Sequence, residues 1–201
     1  MKISLRAFTT LAIAILAFPS LGFSTLYTAS LDGPSEDPPN ASPGTGFATV
    51  DLDILLHTME IQASFSDLLA PTTVSHIHGP TASPGTGTAG VITQLPSFEG
   101  FPLGVTSGVY SHVFDTSQAS TWNPAFLTSV GSSTTMAEAA LDSYLAGGTA
   151  YFNIHSEMFT GGEIRGFFAP APAPIPEPAT LFLFGIGTAG LAGSRVARRK
   201  K

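Results

Sequence analysis

The sequence predicts an all-β fold, an antiparallel Greek-key-like β-sandwich with one short helix. Three observations carry that expectation. Short runs alternate apolar and polar residues in the two-residue period of a half-buried strand. The 21 glycines and 16 prolines cluster between those runs. A single stretch, residues 136–145, has helical periodicity with stop and start signals of its own.

The elements follow in order. Residues 25–31 read as a strand, and the acidic, proline-rich loop Asp32-Gly33-Pro34-Ser35-Glu36-Asp37-Pro38-Pro39 follows, kept out of regular pairing by its prolines. Residues 47–54 alternate, with Val50, Leu52 and Ile54 inward and Thr49, Asp51 and Asp53 outward. After a turn near His57-Thr58, Met59, Ile61, Ala63 and Phe65 repeat the pattern, giving an antiparallel pair with one wet face. Residues 74–78, 89–95 and 108–114 are expected strands, and 123–130 is irregular or a short helix. The helix at 136–145 takes Thr134 or Thr135 as its cap and Gly147-Gly148 as its stop. The segment Ala41-Ser42-Pro43-Gly44-Thr45-Gly46 recurs as Ala82-Ser83-Pro84-Gly85-Thr86-Gly87. Two copies are too few for a solenoid. They predict two similar loops built on type II turns.

Residues 150–168, AYFNIHSEMFTGGEIRGFF, close the domain as a hairpin around Gly161-Gly162. Alternation places Tyr151, Asn153 and His155 on one face, and Glu163, Arg165 and Phe167 on one face of the returning strand. In matching register, His155 lies near Glu163 and Asn153 near Arg165.

Composition bounds the function. With no cysteine there is no disulfide framework, thiolate site or cysteine nucleophile. Between residues 25 and 175 thirteen acids face one base, Arg165, a formal net charge of −12. Such a surface repels phosphate backbones, which excludes nucleic acid as a partner. No nucleophile-elbow sequence or phosphate-cradling glycine loop occurs, so nothing points to an enzyme.

Both ends read as addresses. Residues 1–24 form a secretory signal peptide: Lys2 and Arg6, an apolar centre over 7–18, then Gly22-Phe23-Ser24. After the domain (25–168), residues 169–175 form an Ala/Pro linker. A tail (176–201) combines Pro176-Glu177-Pro178, a short apolar run, and the basic end Arg195, Arg198, Arg199, Lys200 and Lys201. An apolar run followed by cations reads as a stop-transfer or transmembrane helix with its basic end in the cytoplasm.

That tail resembles the PEP-CTERM sorting signal of Gram-negative bacteria. The resemblance implies processing by an exosortase-type membrane protease near the tripeptide. Tethering in the inner membrane would precede it, with delivery to periplasm, cell surface or extracellular matrix. The body resembles the CHRD domain, first described in chordin and also found in bacterial exported proteins. The matching residues are Leu31 to Pro39, His76-Ile77-His78-Gly79-Pro80, Gly147 to Ser156 and Phe159 to Gly166. Asp37 departs from the apolar residue usual before the prolines. The resemblance implies a β-sandwich and supplies no biochemical activity.

Two functional readings follow. The first is a non-catalytic binding or structural domain, with exopolysaccharide or another matrix component as partner. The alternative is a copper- or zinc-binding or redox protein. His76 and His78 project from one strand face, a metal-ligand spacing, and His155 supplies a third imidazole, with Glu163 as fourth ligand or as acceptor behind the ligands. Opposed to the metal reading, the same histidines can serve to hydrogen-bond main chain and fix loops. Arg165 is expected to form a structural ion pair with Glu163. His57 and His112 are expected to be ordinary strand or turn residues.

Overall fold

The computed structural model describes residues 24–172. The expected signal peptide up to Phe23, the end of the linker and the sorting tail with its cations lie outside the described residues. Among the described residues no helix is long and apolar enough to cross a membrane.

The fold is all-β as expected. The strands are β1 (Thr25–Asp32), β2 (Thr45–Asp53), β3 (Thr58–Ser66), β4 (Thr72–His78), β5 (Gly108–Asp115), β6 (Tyr151–Ser156), β7 (Ile164–Phe167) and β8 (Ala169–Pro170). They hydrogen-bond in the order β4-β6-β7-β1-β2-β3-β5, with β8 added to β1. Every named pair is antiparallel. The sheet curls so that strands from both of its ends share one core. Val50, Ile61 and Phe114 belong to the same buried cluster as Ile77, Phe152 and Ile154.

Alternation explains most of this. In β2, Ala48, Val50 and Leu52 are buried and the intervening residues are not. In β3, Met59, Ile61, Ala63 and Phe65 fill the same layer. Ile54 departs from the expectation: the chain turns there, and its side chain is 46% exposed.

Helix α1 (Pro124–Ser129) and helix α2 (Thr134–Ala146) add Phe126, Ala137, Leu141 and Leu145 to the same core. Ser133 caps α2 by accepting from the Met136 N–H at 3.3 Å, one residue before the expected caps. Leu141 and Leu145 are fully buried beneath it.

The expected strand at 89–95 does not form. Its residues make only isolated bridges, His78 to Val91 and Thr93 to Trp122. The segment is used as packing: Ile92, Phe98 and Phe101 insert into the core while the chain around them hydrogen-bonds alongside edge strand β4, at Ile77 O and Ser75 O. The two echoed segments also differ. Gly85 has the positive φ (71°) of a turn's third position, whereas residues 41–44 form no turn and Gly44 has no positive φ, so only the second copy is a turn. The beginning of the Ala/Pro linker is part of the sheet. Thr28 pairs with Ala169 and Tyr27 with Pro170, and the Ala171 N–H donates to Leu26 O at 2.8 Å.

Candidate metal centre

The hairpin sits in the expected register. Asn153 opposes Arg165, and Phe152 opposes Gly166. Strand β4 lies on the other side of β6, with His76 opposite Asn153 and His78 opposite Tyr151. Ile77, Phe152 and Ile154 face the core at 0% exposure. The alternate residues His76, His78, Tyr151, Asn153 and His155 therefore share the opposite face, and loops close over it so that all five are buried.

On that face the three histidines form a nearly equilateral triangle, with ring centroids 5.8, 5.8 and 5.9 Å apart. One ring nitrogen from each lies within 4.8 Å of the other two. Each ring has one nitrogen on a main-chain carbonyl. His76 Nε2 donates to Pro96 O (2.7 Å), His78 Nδ1 to Ala89 O (3.0 Å) and His155 Nδ1 to Thr160 O (2.9 Å). Those bonds fix the tautomers and leave His76 Nδ1, His78 Nε2 and His155 Nε2 as lone pairs. All three are buried without a hydrogen-bond partner.

Burial depresses the basicity of all three rings. His76 and His78 fall to about 4, with the main-chain bonds opposing the fall and neighbouring imidazoles adding to it. His155 is lowered for the same principal reason. Near neutral pH the rings are uncharged, the form that binds metal.

Beside the triangle, Tyr151 stacks on His78 at 4.9 Å and 9°. The Arg165 guanidinium covers Tyr151 (4.9 Å) and Phe167 (5.4 Å). The expected ion pair is corrected here, because Arg165 does not pair with Glu163. Its Nε donates to Ser35 O, one of its terminal nitrogens to Gly87 O at 2.9 Å, and its charge partner is Glu36, with Oε2 3.8 Å from Nε. Glu163 is fully buried elsewhere, accepting from Ser42 Oγ (2.6 Å) and the Leu69 N–H (2.5 Å). The reason is local. The β6–β7 ladder begins at Ile154–Ile164, and Gly162 just before Glu163 has φ 134°. Strict alternation therefore does not extend back to Glu163, which is accordingly absent from the histidine cluster.

Glu36 is the residue sequence reasoning missed. It lies in the acidic loop after β1, 129 positions before Arg165, and no periodic signal links the two. Its carboxyl is pushed up to about 7 by burial, which outweighs the nearby guanidinium. Its second oxygen, Oε1, has no partner. His57 lies in a turn with φ 55° and meets Glu138 of α2 at 2.9 Å. His112 lies against Phe114, ring centroids 4.4 Å apart, in β5.

No curated protein and no solved structure matches the chain. Residues 174–200 match the PEP-CTERM protein-sorting motif, a signal for export across the inner membrane of Gram-negative bacteria with processing by an exosortase-type enzyme. Residues 27–168, which include the whole histidine triangle and its arginine, match the CHRD domain. The chain belongs to the CHRD-domain family.

Proposed function

We propose that the exported domain is a metal-binding module that holds copper or zinc through His76 Nδ1, His78 Nε2 and His155 Nε2. The observation supporting this is that each of three clustered histidines keeps one buried ring nitrogen without a partner, in a group that brings a ring nitrogen of each within 4.8 Å of the others. Leaving a buried polar atom unpaired costs about 1–3 kcal/mol. Loop fixing accounts for one nitrogen of each ring and leaves the other three unexplained. A borderline ion accounts for all three at once, and imidazole donors favour copper or zinc over magnesium or calcium. The carbonyls of Pro96, Ala89 and Thr160 are then the acceptors that hold each ligand ring in place.

The chelator-stripped mature protein, titrated with zinc and then copper by calorimetry, should bind one ion per chain. His76→Ala and His155→Ala should each weaken binding at least tenfold. Unchanged binding in both variants, or no binding by the native protein, overturns the reading.

The mature unit, the domain at 25–168 with the linker that follows it, is freed when the exosortase-type enzyme acts near Pro176-Glu177-Pro178. Its destination is the cell surface or extracellular matrix. A matrix partner has one supporting feature, the solvent-facing side of the β1-β2-β3-β5 sheet. There Phe47, 46% exposed, lies in register between Ser30 and Ser64. An aromatic face among hydroxyls suits a neutral sugar ring of an exopolysaccharide. Glycan-array binding lost in Phe47→Ala but kept in His76→Ala would support that role, and binding indifferent to Phe47 would remove it.

A further inference from the structure

The triangle leaves one coordination position unassigned, and Glu163, the acid expected there, points elsewhere. Asn153, unlike Glu163, shares the strand face of the histidines. Its Cα pairs with that of His76, His155 follows two residues later on the same face, and Tyr151, two residues before, stacks on His78. Asn153 is 3% exposed, and its Oδ1 is buried with no partner.

A second orphan explains how the amide is oriented. Glu36 Oε1 is also buried without a donor. A Cβ built on Gly162 would lie 2.6 Å from Glu36 Oε1, 2.6 Å from Asn153 Nδ2 and 2.7 Å from Asn153 Oδ1, so the carboxylate and the amide crowd one spot. Glycine there is what lets the two side chains approach. An amide's nitrogen and oxygen exchange places by a half-turn. With Nδ2 turned to Glu36 Oε1, that acceptor would be satisfied and Oδ1 would remain the free donor atom on the strand face that Asn153 shares with His76 and His155.

We propose that Asn153 Oδ1 is the fourth ligand of the histidine centre, with Glu36 as the positioning residue that holds the amide in place. This rests on the metal reading above and deepens it. Three imidazoles and one amide oxygen make a closed four-coordinate set, the arrangement of a site that holds an ion rather than one that activates water. Arg165, Glu36 and Asn153 then form a chain to the ion from the one lysine or arginine among the described residues.

Cobalt(II) replacing the native ion in the mature protein reports both coordination number and access. The native protein should show the intense visible bands of four-coordinate cobalt, and azide should leave them unchanged. In Asn153→Ala, cobalt should bind at least tenfold more weakly and its spectrum should respond to azide. Should that variant fail to fold, Asn153→Asp combined with Glu36→Gln restores a donor–acceptor pair of reversed sense. It should stay azide-insensitive and bind cobalt at least tenfold more tightly than the native protein. An azide-sensitive native spectrum would overturn Asn153 as a ligand while leaving the three histidines standing. No cobalt binding at all would overturn the metal reading and this inference together.

Discussion

Replacing Arg165 with leucine removes the guanidinium and keeps an apolar stem between Tyr151 and Phe167. The change deletes two donors to main-chain carbonyls, Ser35 O and Gly87 O, and the charge facing Glu36. Breaking a buried pair by removing one partner typically costs about 3–5 kcal/mol. Here Glu36 has an escape, because burial already holds it near 7 against the opposing pull of Arg165. Without the arginine its carboxyl rises further and takes a proton in place of remaining a stranded charge. At pH 6 both proteins hold Glu36 protonated, so no charge is stranded and the loss should sit at about 3 kcal/mol, the cost of leaving the two main-chain carbonyls without their donor. Above pH 7 the native carboxyl ionises while the variant's stays protonated. The gap should then widen by up to about 1.4 kcal/mol per pH unit. Urea unfolding followed by the fluorescence of buried Trp122, at pH 6 and at pH 8, measures this directly. A loss below about 1 kcal/mol at both values, or a gap that narrows as pH rises, would refute the account of the pair.

Glu36→Gln should abolish a pH slope. Since folding raises this carboxyl from 4.5 to about 7, the folded state binds the proton more tightly, and native stability falls between those values as pH increases. Stability curves of native and variant protein should diverge across that window, and parallel curves would contradict the assignment. The histidines act in the opposite sense. His76 and His78 are lowered from 6.5 to about 4, so the metal-free domain should lose stability as pH falls from 6.5 towards 4, and a His76→Asn/His78→Asn variant should lose less. Denaturant midpoints at pH 7 and 4.5 check that. Gly166→Ala should cost about 3 kcal/mol or more, because its Cβ would meet Ser30 O at 2.1 Å and force β7 away from β1. An unchanged thermal midpoint would show that the two strands are not held so closely.

Much of the fold was legible because its strands obey a two-residue period against a single core. Ala48, Val50 and Leu52 facing Met59, Ile61 and Ala63 are the clearest case. The hairpin register, and with it the pairing of Asn153 with Arg165, followed from the same alternation. Residues 89–95 misled because an apolar run fits a strand and a packed loop equally well. Ile92 is buried by insertion, and its neighbours form only single bridges. The histidines could be marked as ligand types, but nothing local says that β4 and β6 are neighbours, which is what brings His76 and His155 together. Glu163 and Glu36 exchanged roles for a related reason. Sequence nearness favoured Glu163, whereas a break in alternation at Gly162 turned it away and a distant loop delivered Glu36.

X-ray absorption at the copper and zinc edges of protein recovered from outside the cell, purified without chelators, bears most directly on the histidine centre. One ion per chain with three imidazole nitrogens in its first coordination sphere is the expected spectrum. Protein free of both metals that also fails to take up either on reconstitution, or an ion whose spectrum lacks imidazole scattering, would contradict it.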